Sequence, residues 1–162
     1  MTSLRRGALA SDSPRARLAE LGLSLPHVSP PKGSYVPAVR SGNMVYVAGQ
    51  VPLTDGRLVA AGKVGAEISP ELAADLARQC GLAALAAIDE VADLDEVARV
   101  VRAIGYVACA PGFIDTPGVV AGVGDLLDDL FGDSSPCMPV GVPCLPLNSP
   151  VEIELTVELS PR

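Results

Sequence analysis

The sequence predicts a two-layer α+β domain, with two helices on one face of a mixed β-sheet. Three observations lead there. Strand-like patterns occupy residues 35–60 and 151–159, and two capped apolar segments beginning at Ser69-Pro70 and Thr116-Pro117 read as helices. The resulting order, β-β-β-α-β-α-β-β, leaves nothing over for a third layer. The second face of the sheet must then be covered by something else, and another copy of the chain is the economical answer.

Residues 1–31 read as an N-terminal arm ahead of a domain at 32–162. Within the arm, residues 15–23 suit a short helix that Pro26, Pro30 and Pro31 end, and His27 is expected to be solvated. The run Tyr35-Val36-Pro37-Ala38-Val39-Arg40, the turn residues Ser41-Gly42-Asn43 and the run Met44-Val45-Tyr46-Val47-Ala48 make a hairpin. Asp55-Gly56 is a second turn, returning through Arg57-Leu58-Val59-Ala60.

Ser69 before Pro70 and Glu71 is a helix start: a hydroxyl N-cap, proline in the first turn, then an acid. Leu72, Leu76, Cys80, Ala84, Ala87 and Val91 recur at helical spacing, with Leu82, Leu85 and Ile88 on the other side. A helix so apolar all round is covered on more than one side. Asp93 and Asp95 mark the loop before a β-branched run at 97–107, suited to a central strand. In the second helix Thr116 is the expected cap, Val119, Val123, Leu126, Leu127 and Leu130 form the stripe, and Gly132 is the stop. Residues 138–145 form a candidate strand whose Pro139 and Pro143 suit an edge or bulge. The final run, residues 151–159, alternates strictly and puts five apolar side chains on one face.

Composition narrows the function classes. At 162 residues with 49% hydrophobic content, one domain with a full core is expected. The mean hydropathy of +0.37 points to subunit interfaces, since large apolar patches are rare on soluble monomers. The balance of 12 basic against 19 acidic residues, net −7, opposes binding to a phosphate backbone, and two Phe, three Tyr and no Trp give little for base stacking. No apolar run reaches the length of a membrane span, and none follows Arg5 and Arg6 as a signal peptide would require, so the expected location is the cytoplasm. Cys80, Cys109, Cys137 and Cys144 contain no C-x-x-C pair, and His27 is the one histidine, so free thiols and no metal site are expected. Cys80 and Cys144 are read as core and Cys109 as packing.

The segments Gly33-Ser34-Tyr35-Val36 and Ser41-Gly42-Asn43-Met44-Val45-Tyr46-Val47-Ala48-Gly49-Gln50-Val51-Pro52 resemble the opening signature of the RidA/YjgF family. Val140-Gly141-Val142, Leu145-Pro146 and Val151-Glu152-Ile153-Glu154 resemble its closing motif. The resemblance spans residues 33–159 and implies a chorismate-mutase-like fold, a homotrimer and clefts between subunits. It implies hydrolysis of reactive enamines and imines to keto acids and ammonia, with no cofactor. By the same resemblance, Tyr35 is the tyrosine of the first motif and a catalytic candidate, Gly49 lines the cleft and Glu152 orients water. Ala48 stands where the family has a small hydroxyl residue, and Ala121 where an asparagine is frequent. The arginine that clamps a substrate carboxylate is replaced by Cys137, and Met138 and Pro139 after it, with Ala48, Gly49 and Ala121, are the expected substrate-binding residues. Each hydrogen bond of an Arg–carboxylate pair contributes about 1.5–3 kcal/mol, so its loss disfavours 2-imino acids.

Three readings follow. In the first, an imine, enamine or related electrophile is isomerised, cyclised, added to or hydrolysed, with Cys137 as nucleophile or acid/base thiol beside Glu152 or Tyr35. In the second, Cys137 is a small apolar filler and the trimer binds a metabolite without catalysis. The third is ordinary deamination of a 2-imino acid.

Overall fold

The computed structural model describes residues 13–30, 33–132 and 135–161. The start of the proposed arm, residues 1–12, and Pro31 lie outside that range. The described elements are α1 (Pro14–Glu20), β1 (Ala38–Ser41), β2 (Met44–Gln50), β3 (Leu53–Thr54), β4 (Arg57–Leu58), α2 (Pro70–Asp89), β5 (Val97–Ala108), α3 (Thr116–Phe131), β6 (Cys137–Val142) and β7 (Val151–Leu159). The main sheet has the order β1-β2-β7-β5-β6, and β3-β4 form a small separate hairpin. β5 pairs in parallel with β6, while the other main-sheet pairs are antiparallel. Both long helices cover one face, giving the two-layer α+β sandwich expected from the sequence.

β7 sits at the centre of this sheet. Val151, Ile153, Leu155, Val157 and Leu159 are all at most 1% exposed, whereas the residues between them are half-buried on the opposite face. The buried row packs under α2, whose Ala73, Leu76, Ala77, Cys80 and Ala84 are also buried. Ser69 caps that helix by accepting from Leu72 N at 3.2 Å. Leu72 itself is 40% exposed and Val91 lies past the helix end, so the apolar stripe is shorter than its periodicity suggests. Spacing identifies a face but not where the covering element stops.

α3 has the expected stripe, with Val119, Val123, Leu126, Leu127 and Leu130 buried, and it ends at Gly132 in the left-handed region, φ 77°. Its cap differs from expectation. Asp115, not Thr116, is the N-cap, its carboxylate accepting from Gly118 N at 3.0 Å. A Cβ on residue 118 would stand 2.5 Å from that carboxylate, so the glycine makes the cap possible. β6 is also shorter than the expected strand and ends at Val142 before Pro143. Cys144 beyond it is exposed, which corrects the expectation that it is core. Cys80 is buried, and Cys109 is half-buried with its thiol toward Val107 O at 3.3 Å.

α1 packs on α3 and buries Leu18 in the common core. Arg17 donates to Leu130 O at 2.8 Å, and Arg15 forms ion pairs with Asp89 and Asp93. Among the described residues no helix is long and apolar enough to cross a membrane.

Among the described glycines the tightest approach is at Gly122 in α3, where a Cβ would fall 2.0 Å from the carbonyl oxygen of Ala74 in α2. Backbone cannot yield as a side chain can. Gly122→Ala is therefore expected to destabilise the fold by about 1–3 kcal/mol, as overpacking does. The measurement is urea unfolding, with a lower midpoint at unchanged slope. An unchanged midpoint would show that α2 and α3 are not held in this contact.

Candidate functional site

The site is built around an irregularity in β2. Val47 faces Leu155 and Gln50 faces Ile153, so three steps along β2 match two along β7, and the extra residue bulges at Ala48-Gly49. Ala48 N–H is turned to Pro37 O at 2.8 Å, and Gln50 Nε2 donates back to Ala48 O at 3.0 Å. The bulge brings the Gly49 backbone over Glu152. A Cβ on residue 49 would stand 2.1 Å from Glu152 Oε1, so the carboxylate occupies the space a larger residue would fill.

Beside this contact lies a cleft of about 260 Å³ lined by Tyr35, Pro37, Gly49, Gln50, Leu147 and Glu152, with Ser29 and Pro30 closing one side. The Leu147 backbone is left-handed, φ 59°, as is that of Asn148 at φ 60°. That conformation costs a leucine roughly 1–2 kcal/mol. A second hollow of about 430 Å³ shares Ser29, Pro30 and Leu53 and is lined also by His27, Asp55 and Gln79.

Burial, and then the neighbouring charge of Glu154, raise the Glu152 carboxyl above the ordinary glutamate value. Glu154 is held in place from β5. Tyr106 OH donates to Glu154 Oε2 at 3.1 Å, and Arg102 lies 3.7 Å from Glu154 Oε1. Tyr106 is itself the direct cross-strand partner of Glu152. Its hydroxyl is raised by burial and by Glu154.

The structure thus gathers Tyr35, Gly49 and Glu152 of the sequence-derived candidates. It does not bring Cys137 to them within one subunit. Cys137 is level with Ala103, and Ala103 with Leu155, so the thiol shares the helix-facing side of the sheet, whereas Glu152 is on the other side. Its sulfur lies 3.8 Å from where a Cβ on Gly124 would be. Burial, then Asp128, push this thiol up, which keeps it protonated. Met138 is 53% exposed and shares the open face with Ile104, while Pro139 is half-buried opposite Gly105. Ala48 is half-buried in the bulge and Ala121 is exposed on α3. Sequence reasoning missed Ser29, Leu147 and the cleft-lining part of Gln50. Gln50 stood inside a quoted motif and Leu147 directly followed one, so their proximity to those motifs was the available signal.

A two-layer sandwich with β2 bulged over an acid of the central strand defines a chorismate-mutase-like α+β protein. The chain belongs to the YjgF/RidA family: residues 15–159 match the family model described as "YjgF/chorismate_mutase-like, putative endoribonuclease". Protein TCP17 of Trypanosoma cruzi is 34% identical over 157 residues, covering 94% of this chain and 98% of its own. The crystal structure of Atu1372 from Agrobacterium tumefaciens, described as of unknown function, superposes with a TM-score of 0.82 at 33% identity, covering 93% and 94% of the two chains. A Shewanella oneidensis structure described as a "putative endoribonuclease" gives a TM-score of 0.86 at 29% identity, covering 91% of this chain and 99% of that one.

The raised Glu152 carboxyl has a sign that can be checked. A folded state that holds this proton more tightly gains stability below the unfolded pKa and loses it as pH rises through the folded one. Carbon-detected NMR titration should find Glu152 titrating above ordinary glutamates, and Glu154→Gln should move it back down. Glu152→Gln should gain stability relative to the native chain as pH rises from below the ordinary glutamate range through and beyond it. A Glu152 that titrates below the ordinary range would contradict this account.

Proposed function

We propose that this protein is a RidA-like small-molecule enzyme acting on an imine, enamine or related electrophile in a cleft completed between subunits of a homotrimer. The observation that carries the reading is the half-buried Glu152 carboxyl, seated on Gly49 at the wall of a small, largely apolar cleft. Its raised pKa brings it toward the range in which a carboxyl both takes and returns protons. In a hydrolytic turnover Glu152 accepts a proton from water as the oxygen adds to the C=N carbon. It passes that proton to nitrogen to complete the carbinolamine, then takes the hydroxyl proton and delivers it to nitrogen as the C–N bond breaks, and a carbonyl product and an amine or ammonia leave. Tyr35 supplies the aromatic wall. The acidic surroundings and net charge of −7 support a small molecule over a phosphate backbone.

Cys137 enters this reading as a neutral thiol contributed from an adjacent copy, suited to proton donation rather than attack, since both influences on it favour the protonated form. A second reading is favoured by its packing against Gly124: the thiol is a filler and the trimer binds a metabolite without turning it over.

The assay follows ammonia release from imines generated by an oxidase. Native protein is expected to accelerate it, and Glu152→Gln should cost about 10²–10⁴-fold, the usual worth of a general acid–base group. Cys137→Ser should lower the rate only if the thiol moves a proton. No acceleration with any imine would leave the binding reading. Light scattering is expected to give three times the chain mass, and a monodisperse monomer at micromolar concentration would remove the inter-subunit cleft.

A further inference from the structure

We infer that the cleft selects a ligand carrying a protonated or readily protonated nitrogen and no carboxylate. This rests on the reading of the cleft as an imine site and narrows its substrate class. Among the described residues that line it, Glu152 is the one with a formal charge, and no lysine or arginine is present. The remaining polar groups, Ser29, Tyr35 and Gln50, are neutral. Its carboxylate lies against the Gly49 backbone at the bulge, in the space a larger residue there would fill.

The surroundings reinforce the sign. Glu154 follows on the same face of β7. The arginines of that face are engaged: Arg99 Nε lies 2.6 Å from Glu158, and Arg102 lies 3.7 Å from Glu154. At residue 137, a thiol against Gly124 near Asp128 offers no positive charge. Apolar walls from Pro30, Pro37, Val51 and Leu147 weaken solvent screening. The Tyr35 ring adds a face that attracts cations. A carboxylated imine would bring its negative charge toward Glu152 with no cation among the described lining residues to offset it, whereas an iminium or ammonium would meet a partner.

The test uses two cyclic imines that differ only in the group at issue, 1-pyrroline and 1-pyrroline-2-carboxylate, titrated into the intact oligomer near neutral pH. Amide shifts of Gly49 and Tyr35 report occupancy of the cleft. 1-Pyrroline is expected to bind about tenfold or more tighter, an affinity difference well within titration range. Glu152→Gln should reduce that preference toward equality, and Glu152→Asp should retain its sign. Equal or tighter binding of the carboxylate, or a preference that survives Glu152→Gln, overturns the ligand class and leaves the imine cleft standing. If neither compound shifts Gly49 or Tyr35, the imine reading of the cleft falls as well.

Discussion

Strand β7 has neighbours on both edges, β2 and β5, and it alternates without a break over nine residues. A one-residue slip would carry five buried side chains to the open face and draw Glu152, Glu154 and Glu158 under α2. Register here is consequently fixed by burial on one side and by charge on the other. Everything at the site inherits that register: which acid reaches the cleft, which partner on β5 lies opposite it, and which residue of β2 must have no side chain. The bulge at Ala48-Gly49 is tolerated because the pairs on both sides of it hold, Val47 with Leu155 and Gln50 with Ile153.

The same alternation produces the electrostatics. Glu152, Glu154 and Glu158 repeat along one face, and β5 answers with Arg102 at Glu154 and Arg99 at Glu158. Opposite Glu152 the answering residue is Tyr106, whose hydroxyl is committed to Glu154. Two of the three acids are thus compensated and the third is not. An exposed ion pair adds little stability, so the arginines matter less for holding the sheet than for leaving the uncompensated charge at residue 152. Val39, Tyr46 and Met138, each at least half-exposed, give this open face an apolar margin.

Much of this was legible from sequence because the controlling signals are local. The alternation of 151–159, the Ser69-Pro70 start and the stop at Gly132 each act within a few residues, and each formed as expected. Tyr35, Gly49 and Glu152 were reached through motif resemblance, which encodes the bulge without revealing it. What stayed hidden depends on long-range geometry. The side of the sheet that Cys137 faces is set by pairing with Ala103, a residue 34 positions earlier, and no pattern within β6 announces it. Likewise Asp115 displaces Thr116 as the cap because Gly118 leaves room for a carboxylate, a steric fact that cap preference alone does not contain.

The parity of residue 137 also constrains how a charge could be restored there. The Cys137 thiol ends against Gly124, on the helix-facing side of the sheet. An arginine at this position would have to leave the helix-facing side along the edge strand. The first acid near its path would be Asp128, which already accepts from Ser135 N at 3.3 Å. On the reading proposed above, the length of the side chain at residue 137 matters as much as its charge for what β6 adds to a shared cleft.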